Sequence, residues 1–440
     1  MTNHTQLSHQ AGVLRFITCG SVDDGKSTLI GRLLYDTKAV LSDQLQALSK
    51  TKHARVTAAD AAVDLALLTD GLEAEREQGI TIDVAYRYFA TAKRKFIVAD
   101  APGHEQYTRN MVTGASQADV AILLVDATRV QLDTEPAALL AQTKRHATIV
   151  KLLGLRHIAV AVNKMDLLDF DEAIFQKISQ AIENLAKTLD LPKPVIFPVS
   201  ALLGDNVVTP SQRFDWYQGP SLLTWLESLE IQARASIQSL RLPVYVARQD
   251  GSATDDFRGY LGRVESGQIK KGQRITILPS GQEATVAQIH ISNGAAHSEG
   301  VDQADAGDVI ALSFAEDVDV SRGDMIVESD LKSLTKQIQA HLCWLDTEPL
   351  STSRKYLLRH TTQTVFAKVK AVTQVFDVQT LSQHTGEHTL TMNGIGQVDL
   401  VLQKPIMADR FVDSLATGSF VLIDEASNHT VAAGMIVEIA

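Results

Sequence analysis

Eight residues near the start of the chain, Gly20 to Ser27, read GSVDDGKS and have the spacing of a phosphate-binding loop. They follow the apolar segment VLRFITC and precede TLIGRLLYD, which has the composition of a helix. Glycines allow a tight turn whose main-chain N–H groups converge on phosphate oxygens, and the following helix presents its positive end. Lys26 would reach the β- and γ-phosphates, and the Ser27 hydroxyl would bind Mg²⁺. We expect these residues to contact the phosphates: Gly20, Ser21, Val22, Asp23, Asp24, Gly25, Lys26, Ser27 and Thr28.

A second motif, DAPG, closes the apolar segment KFIVAD. Its Asp100 carboxylate would hold the magnesium through a water molecule, and the Gly103 N–H would meet the γ-phosphate. Asp and Gly are common in turns, so the motif is specific only because it follows a strand and a phosphate loop. The next residue, His104, is suited to orient the water that attacks the γ-phosphorus, as base or as positioner. Expected nucleotide contacts here are Asp100, Ala101, Pro102, Gly103 and His104.

The choice of base depends on NKMD, which follows another apolar segment. Asp166 can accept two hydrogen bonds from the N1–H and exocyclic amine of guanine, whereas adenine presents the wrong donor pattern. Asn163 would brace the loop and Lys164 would lie along the ring. In SAL, after the next strand, the Ala201 N–H would meet the guanine oxygen. The predicted ligand is therefore GTP, with base contacts from Asn163, Lys164, Met165, Asp166, Ser200, Ala201 and Leu202.

A long polar stretch, GLEAEREQGITID at 71–83, delivers Thr81 to the edge of a predicted strand. A magnesium-bound triphosphate needs a further hydroxyl ligand from a loop that can release the ion. Thr81 therefore suits a switch loop that is ordered only when the γ-phosphate is present. A plain surface helix over EAEREQ is also compatible with this reading. The predicted Mg²⁺ ligands are Ser27, Thr81 and Asp100, and the predicted catalytic residues are Lys26, Thr81 and His104.

The elements that must position these residues change in character along the chain. In the first half, short apolar strands alternate with helical patterns, including a helix between Asp171 and Asp190, which favours a doubly wound α/β domain. After about residue 235, short strands separated by Gly, Asp, Ser and Pro favour small antiparallel barrels or sandwiches. LKSLTKQ at 331–337 has the composition of a linker between two such groups. The predicted domains are 1–232, 233–330 and 331–440.

Composition excludes several classes of protein. The longest apolar runs, such as VAILLV at 120–125, fall far short of the ~20 residues that a membrane span needs. The first ten residues have neither a basic region nor an apolar core, so we expect no export signal. Only two cysteines are present, and a reducing cytoplasm is the simplest compartment. The net charge of −11 argues against a nucleic-acid partner.

The motifs GSVDDGKSTL, GITID, DAPGHEQYTRNM and NKMD resemble the translational-factor class of GTPases. That class has an α/β P-loop GTPase domain with a parallel-type sheet, followed by two antiparallel β-barrel domains. Within it, the chain is similar to the large, GTPase subunits of heteromeric bacterial sulfate adenylyltransferase (ATP sulfurylase), on blocks such as LLTDGLEAEREQGITIDVAYRYF (67–89) and EPLSTSRKYLLRH (348–360). The resemblance implies that GTP hydrolysis here drives formation of adenylyl sulfate and pyrophosphate from ATP and sulfate by a smaller catalytic subunit.

Two other functions fit parts of the pattern. An elongation-factor-like GTPase that delivers RNA would grip RNA with its last domain, yet residues 331–440 contain nine Lys/Arg against ten Asp/Glu. A GTP-binding scaffold without turnover is disfavoured because Lys26, Thr81 and His104 are all present.

Overall fold

The computed structural model describes residues 12–39, 65, 83–104, 107–230, 237–249, 258–291, 299–329, 334–377, 380–386 and 389–439. They divide into two compact units, one up to residue 231 and one from residue 232 onward, with the segment 377–382 grouped with the first. Among the described helices, none is long and apolar enough to cross a membrane. The limits of the three predicted domains stay predictions.

The first unit is built on a six-stranded sheet in the order β2-β3-β1-β4-β5-β6. Its strands are β1 Leu14–Cys19, β2 Ala85–Ala90, β3 Lys95–Asp100, β4 Val120–Asp126, β5 His157–Asn163 and β6 Val195–Pro198. All neighbours are parallel except β2, which pairs antiparallel with β3 at the edge. The predicted α/β fold with a parallel-type sheet is confirmed, and β2 is the one antiparallel strand of this sheet.

The helices described in this unit are α1 Lys26–Asp36, α2 Thr108–Ser116, α3 Ala141–Leu152, α4 Glu172–Thr188 and α5 Leu222–Ser228. The predicted apolar face of α4 is confirmed, since Phe175, Ile178 and Ile182 are buried. Asp171 caps its first turn by accepting a hydrogen bond from the Ile174 N–H at 2.9 Å.

Every residue of β4 is buried, as expected for a strand covered by helices on both faces. Parallel strands bring their carboxyl ends to one edge of a sheet, which is where α/β folds bind ligands. The phosphate loop follows β1, and Asp100 and Asn163 end β3 and β5. The strand order therefore carries these motifs to one edge.

The second unit begins with a closed antiparallel barrel of six strands in the order β10-β15-β7-β8-β14-β11, closed by β10 against β11. These strands are β7 Arg241–Gln249, β8 Arg258–Arg263, β10 Arg274–Leu278, β11 Gln282–Ile291, β14 Val309–Phe314 and β15 Met325–Glu328. Three short strands complete it: β9 Gln268–Lys270, β12 Glu299–Val301 and β13 Gln303–Asp305. The first predicted β-domain is thus a barrel and not a sandwich.

A second closed six-stranded barrel follows, in the order β17-β21-β22-β16-β20-β18 with β17 pairing β18. Its strands are β16 Thr335–Trp344, β17 Tyr356–His360, β18 Gln363–Asp377, β20 Ile395–Ile406, β21 Ser419–Asp424 and β22 Thr430–Ile439, with β19 Ser382–Thr385 at the edge and the short helix α6 Leu415–Gly418. Because β16 begins at Thr335, the predicted linker at 331–337 is wrong in its last three residues.

A buried ion pair joins the two barrels. Arg241 Nε and Nη2 donate to Asp409 Oδ2 and Oδ1 at 2.9 and 3.0 Å. Thr417 Oγ1 donates a further bond of 2.6 Å to Asp409 Oδ2. Such bidentate, charge-assisted hydrogen bonding fixes the orientation of the two side chains as well as the distance between them. The two barrels are therefore held in a defined relation to each other.

Candidate nucleotide-binding site

The loop between β1 and α1 folds back through two residues with positive φ, Asp23 at 67° and Gly25 at 91°. A glycine is needed at position 25 for two reasons. Its positive φ disfavours other residues, and a Cβ there would lie 2.3 Å from Asn163 Nδ2. The loop also closes on itself, because the Ser21 N–H donates to Asp24 Oδ2 at 2.5 Å.

Lys26 lies buried at the centre of this loop. Its Nζ donates to the main-chain oxygens of Gly20 at 3.0 Å and Ser21 at 2.8 Å. Burial lowers the pKa of the Lys26 ammonium, and the carboxylates of Asp100 and Asp24 oppose that effect. A cation is thus already placed where the pattern predicts phosphate oxygens.

Two of the three predicted magnesium ligands come together. Ser27 Oγ lies 3.5 Å from Asp100 Oδ2, and Thr18 Oγ1 donates to Asp100 Oδ1 at 3.3 Å. A hydroxyl and a carboxylate are the hard oxygen donors that Mg²⁺ prefers. The third, Thr81, lies outside the described residues. Within the described ranges no group of three or more His, Cys, Asp or Glu could hold a metal ion.

The DAPG segment packs directly against the phosphate loop. A Cβ on Gly103 would lie 2.4 Å from Lys26 Nζ and 2.8 Å from the main-chain N of Val22. Ala101, Pro102 and Gly103 are buried, whereas the next residue, His104, is exposed with its ring 6.1 Å from that of Tyr107. Main-chain contact at Gly103 therefore turns the chain so that His104 lies on the outside.

The sequence analysis missed two residues of α3, of which Gln142 holds the Gly103 peptide and His146 contacts Gln142. Gln142 Nε2 donates to the Gly103 oxygen at 3.3 Å and lies 3.1 Å from His146 Nε2. Since an amide nitrogen only donates, His146 Nε2 must accept and the imidazole must be neutral. Burial lowers the pKa of His146 to about 3, and Lys26 adds to that effect. The signal in the sequence was a polar pair four residues apart on a helix.

Asn163, predicted to brace its loop, bridges two other motifs. Its Nδ2 donates to the Asp24 oxygen at 2.8 Å, and its Oδ1 accepts from the Ala201 N–H at 2.9 Å. The Ala201 N–H, expected to meet the guanine oxygen, thus donates to Asn163 in this structure. Arg32 Nε donates to the Ala201 oxygen at 3.3 Å and orders the same loop.

Lys164 is oriented by an acid that the sequence analysis did not single out. Asp126, buried at the end of β4, pairs with Lys164 Nζ through Oδ2 at 2.7 Å. Its Oδ1 accepts from the N–H of Thr128 at 2.9 Å. Lys164 itself has φ of 64°. A left-handed main chain and an ion pair to a buried carboxylate together restrict the Lys164 side chain.

Arg129 is another residue that the sequence analysis missed. Its Nη1 donates to the Val22 oxygen at 2.7 Å and lies 3.7 Å from Asp24 Oδ1. Burial raises the pKa of Asp24 to about 6, although Lys26 and Arg129 both lower it. Among the described residues Asp24 Oδ1 has no hydrogen-bond partner. The phosphate loop thus contains a partly desolvated carboxyl group, that of Asp24, and the guanidinium group of Arg129 lowers its pKa.

The remaining predicted base contacts lie on the same edge. Asp166 is half-buried in the 3₁₀ turn Met165–Leu168, and Met165 beneath it is buried. Ser200 is buried, and its hydroxyl accepts from the Leu203 N–H at 3.2 Å. The Leu202 oxygen accepts a hydrogen bond from Arg32 Nη2. Of all the predicted site residues, Thr81 alone falls outside the described ranges.

Known proteins match both the fold and the order of its parts. The profile of the elongation factor Tu GTP binding domain matches residues 12–237, that of elongation factor Tu domain 2 matches 260–327, and that of the GTP-eEF1A C-terminal domain-like family matches 337–437. Sulfate adenylyltransferase subunit 1 of Alteromonas mediterranea is 47% identical over 99% of this chain and 89% of its own length. The chain belongs to the sulfate adenylyltransferase subunit 1 family. The proteins of that name from Laribacter hongkongensis and Aeromonas hydrophila are each 47% identical, over 96% and 97% of this chain and 85% and 86% of theirs.

This family membership confirms the resemblance drawn from the sequence, and with it the α/β GTPase domain followed by two barrels. The first unit of the chain is a GTP-binding domain of the elongation factor Tu type. Solved structures of sup35 complexed with GDP and with GMPPNP align over 100% and 98% of the chain and 97% and 95% of theirs, at 23% and 24% identity and a TM-score of 0.43 each. Similarity at that level carries no conclusion about this chain.

Proposed function

We propose that this chain is a cytoplasmic GTPase that, with Mg²⁺, couples GTP hydrolysis to the formation of adenylyl sulfate and pyrophosphate from ATP and sulfate on a smaller catalytic subunit. The observation that carries the GTPase part is the convergence of the phosphate loop, DAPG, NKMD and SAL at one sheet edge, where Asn163 bonds two of them. The shared name of the relatives supports the coupled reaction.

In this mechanism the chain's own residues bind and orient the triphosphate. Lys26 exchanges its bonds to the Gly20 and Ser21 oxygens for bonds to phosphate oxygens, so little side-chain freedom is lost on binding. Ser27 and Thr81 would hold Mg²⁺ directly and Asp100 through a water. When bound, the ion neutralises charge that develops on the β- and γ-phosphate oxygens. Asp166 would select guanine through its two acceptor oxygens.

His104 would act on the attacking water. It is exposed in this structure, one residue after a glycine that touches the phosphate loop. A small rearrangement around Gly103 would therefore bring the imidazole toward the γ-phosphate. Gln142, which contacts His146, holds the peptide that would have to move.

Coupling requires that the GTP and GDP states interact differently with the catalytic subunit, because a ligand shifts an equilibrium only by its differential affinity. Helix α2 begins at Thr108, four positions after His104. Contact between Gly103 and Val22 at the phosphate loop would pass a change at the γ-phosphate into this helix. The position of helix α2 would then differ between the GTP and GDP states, and the partner subunit could recognise that difference.

The test is to mix the chain with the small subunit of sulfate adenylyltransferase from the same organism and to measure phosphate released from GTP. We expect hydrolysis to rise when ATP and sulfate are supplied together, and not with either alone. Adenylyl sulfate should accumulate further when GTP is present. A Lys26→Ala variant serves as the inactive control. A rate that ignores ATP and sulfate would overturn the coupling.

A further inference from the structure

The outward face of the first barrel carries an unusual apolar group. The pairing of β7 with β8 shifts register between Val244 and Val246, so Tyr245 and Val246 both point outward. They are 42% and 47% exposed. Val309 on β14 is also 47% exposed and lies opposite Arg263 of β8. A bulge thus presents an aromatic ring beside aliphatic side chains on a strand surface.

Three arginines lie close to this group. Burial and Glu265 raise the pKa of the Tyr245 phenol, whereas Arg263, Arg322 and Arg359 all lower it. Arg263 has a long contact of 3.9 Å with Glu265. Arg322 and Arg359 are exposed and form no ion pair with any residue in the described ranges. Two exposed guanidinium groups are therefore without an ion-pair partner among the residues that the structure describes.

The cluster is assembled from both barrels. Arg322 precedes the turn at Gly323, and Arg359 precedes the turn between β17 and β18. These turns touch, because a Cβ on Gly323 would lie 3.5 Å from Gln363 Cα. The Arg241–Asp409 ion pair holds the barrels together. The arrangement exists before any ligand arrives, which lowers the entropy cost of binding.

We propose that Tyr245, Val246, Val309, Arg263, Arg322 and Arg359 form a docking surface, here called the two-barrel patch, for the partner subunit. The partner would present carboxylates around an apolar side chain. This inference rests on the proposed function and names the surface through which the two subunits meet.

The chemistry of the patch favours a protein over a nucleic acid. Tyr and Arg are the residues enriched at the energetic centres of protein interfaces. Exposed valines add contact area against apolar side chains and nothing against a phosphate backbone. The chain's net charge of −11 also repels a long polyanion, whereas exposed arginines attract a local group of carboxylates.

The experiment measures binding kinetics between the immobilised full chain and the small subunit of sulfate adenylyltransferase from the same organism. The double variant Arg322→Glu with Arg359→Glu should lower the association rate about tenfold and reduce its salt dependence. Tyr245→Ala should raise the dissociation rate by roughly tenfold or more. Lys336→Glu is the matched control, because β16 lies opposite β17 in the closed strand order and its Lys336 is exposed. It should match the parent within about twofold.

GTP affinity and circular dichroism of each variant check that the fold is kept, since the changes lie outside the GTPase unit. If the parent binds the subunit and all variants bind equally well, the two-barrel patch is not the docking surface, while the proposed function stands. If the parent itself does not bind the subunit, the proposed function fails. If the variants instead lose retardation of a tRNA in a gel, the protein assignment of the patch is overturned.

Discussion

Asn163 Nδ2 donates a hydrogen bond of 2.8 Å to the main-chain oxygen of Asp24, a residue 139 positions earlier in the chain. The same amide accepts from the Ala201 N–H through its oxygen. The Asn163 side chain is 2% exposed, so both contacts are shielded from water. One side chain thus joins the end of the phosphate loop to the two loops that would surround a base.

Replacing Asn163 by alanine should weaken nucleotide binding. The change leaves the Asp24 oxygen and the Ala201 N–H buried without a partner, and each such group costs about 1–3 kcal/mol. We expect GDP affinity, measured by titration calorimetry, to fall roughly 10- to 100-fold. Gln180→Ala, which removes an exposed amide on α4, is the control and should bind like the parent. Unchanged affinity in Asn163→Ala would refute the bridging role.

Gly103→Ala should abolish productive closure on the γ-phosphate. The added methyl would lie 2.8 Å from main-chain atoms of both Ser21 and Val22, and backbone cannot yield as a flexible side chain can. GTP hydrolysis should drop by about a hundredfold or more, as for other misplacements of a reacting group. Gly12→Ala, where no atom of the described residues lies within 4 Å of the new methyl, should keep the parental rate. Comparable rates in the two variants would count against a close approach at Gly103.

The base specificity should follow Asp166. An asparagine there replaces one acceptor oxygen by a donor nitrogen, which no longer suits the amine of guanine but suits the second carbonyl of xanthine. Asp166→Asn should therefore lose GTP affinity and gain affinity for xanthosine triphosphate. Competition with a fluorescent nucleotide measures both. A variant that still prefers guanine would show that Asp166 does not read the base.

His104→Ala should separate binding from hydrolysis. The side chain is exposed, and Lys26, Asp166 and the main chain of the phosphate loop carry most of the predicted nucleotide contacts, so GTP should bind with nearly parental affinity. The hydrolysis rate should fall by about 10²–10⁴, the range for a lost proton-transfer or water-orienting group. Single-turnover phosphate release reports the rate. Parent and variant hydrolysing GTP equally fast would remove the proposed role.

The buried His146 should make stability depend on pH. Its pKa falls from 6.5 in the unfolded chain to about 3 in the folded one, because burial penalises the imidazolium. As pH falls below 6.5, the unfolded chain takes up a proton that the folded chain does not. The free energy of unfolding should then decrease by up to about 1.4 kcal/mol per pH unit until about pH 3.

His146→Gln removes this dependence, since glutamine does not titrate. Urea denaturation followed at about pH 7 and at about pH 5 should show a smaller loss of stability in the variant than in the parent, by roughly 2 kcal/mol. His429→Gln, on an exposed turn, is the control and should retain the parental slope. Equal slopes in His146→Gln and the parent would show that this imidazole does not cause the acid sensitivity.

The sequence by itself determined what depends on near neighbours. The GSVDDGKS spacing, the 3.6-residue period of α4 and the apolar runs of β1, β4 and β5 are local patterns, and each element formed where its pattern lies. The start of the strand predicted at Thr81 lies outside the described residues, and β2, from Ala85 to Ala90, is an edge strand with alternating exposure, unlike the apolar runs of its neighbours. Local patterns also left open whether the later domains were barrels or sandwiches.

Only the tertiary structure decided which side chains meet. That Asp126 pairs with Lys164, that Gln142 holds the Gly103 oxygen, and that Arg129 reaches Val22 all follow from the strand order and from helices packed across it. The barrels closed because β10 met β11 and β17 met β18, pairings that no single strand encodes. A hydrogen bond acts over about 3 Å, so its partners are chosen by the folded path of the chain and not by their separation along it.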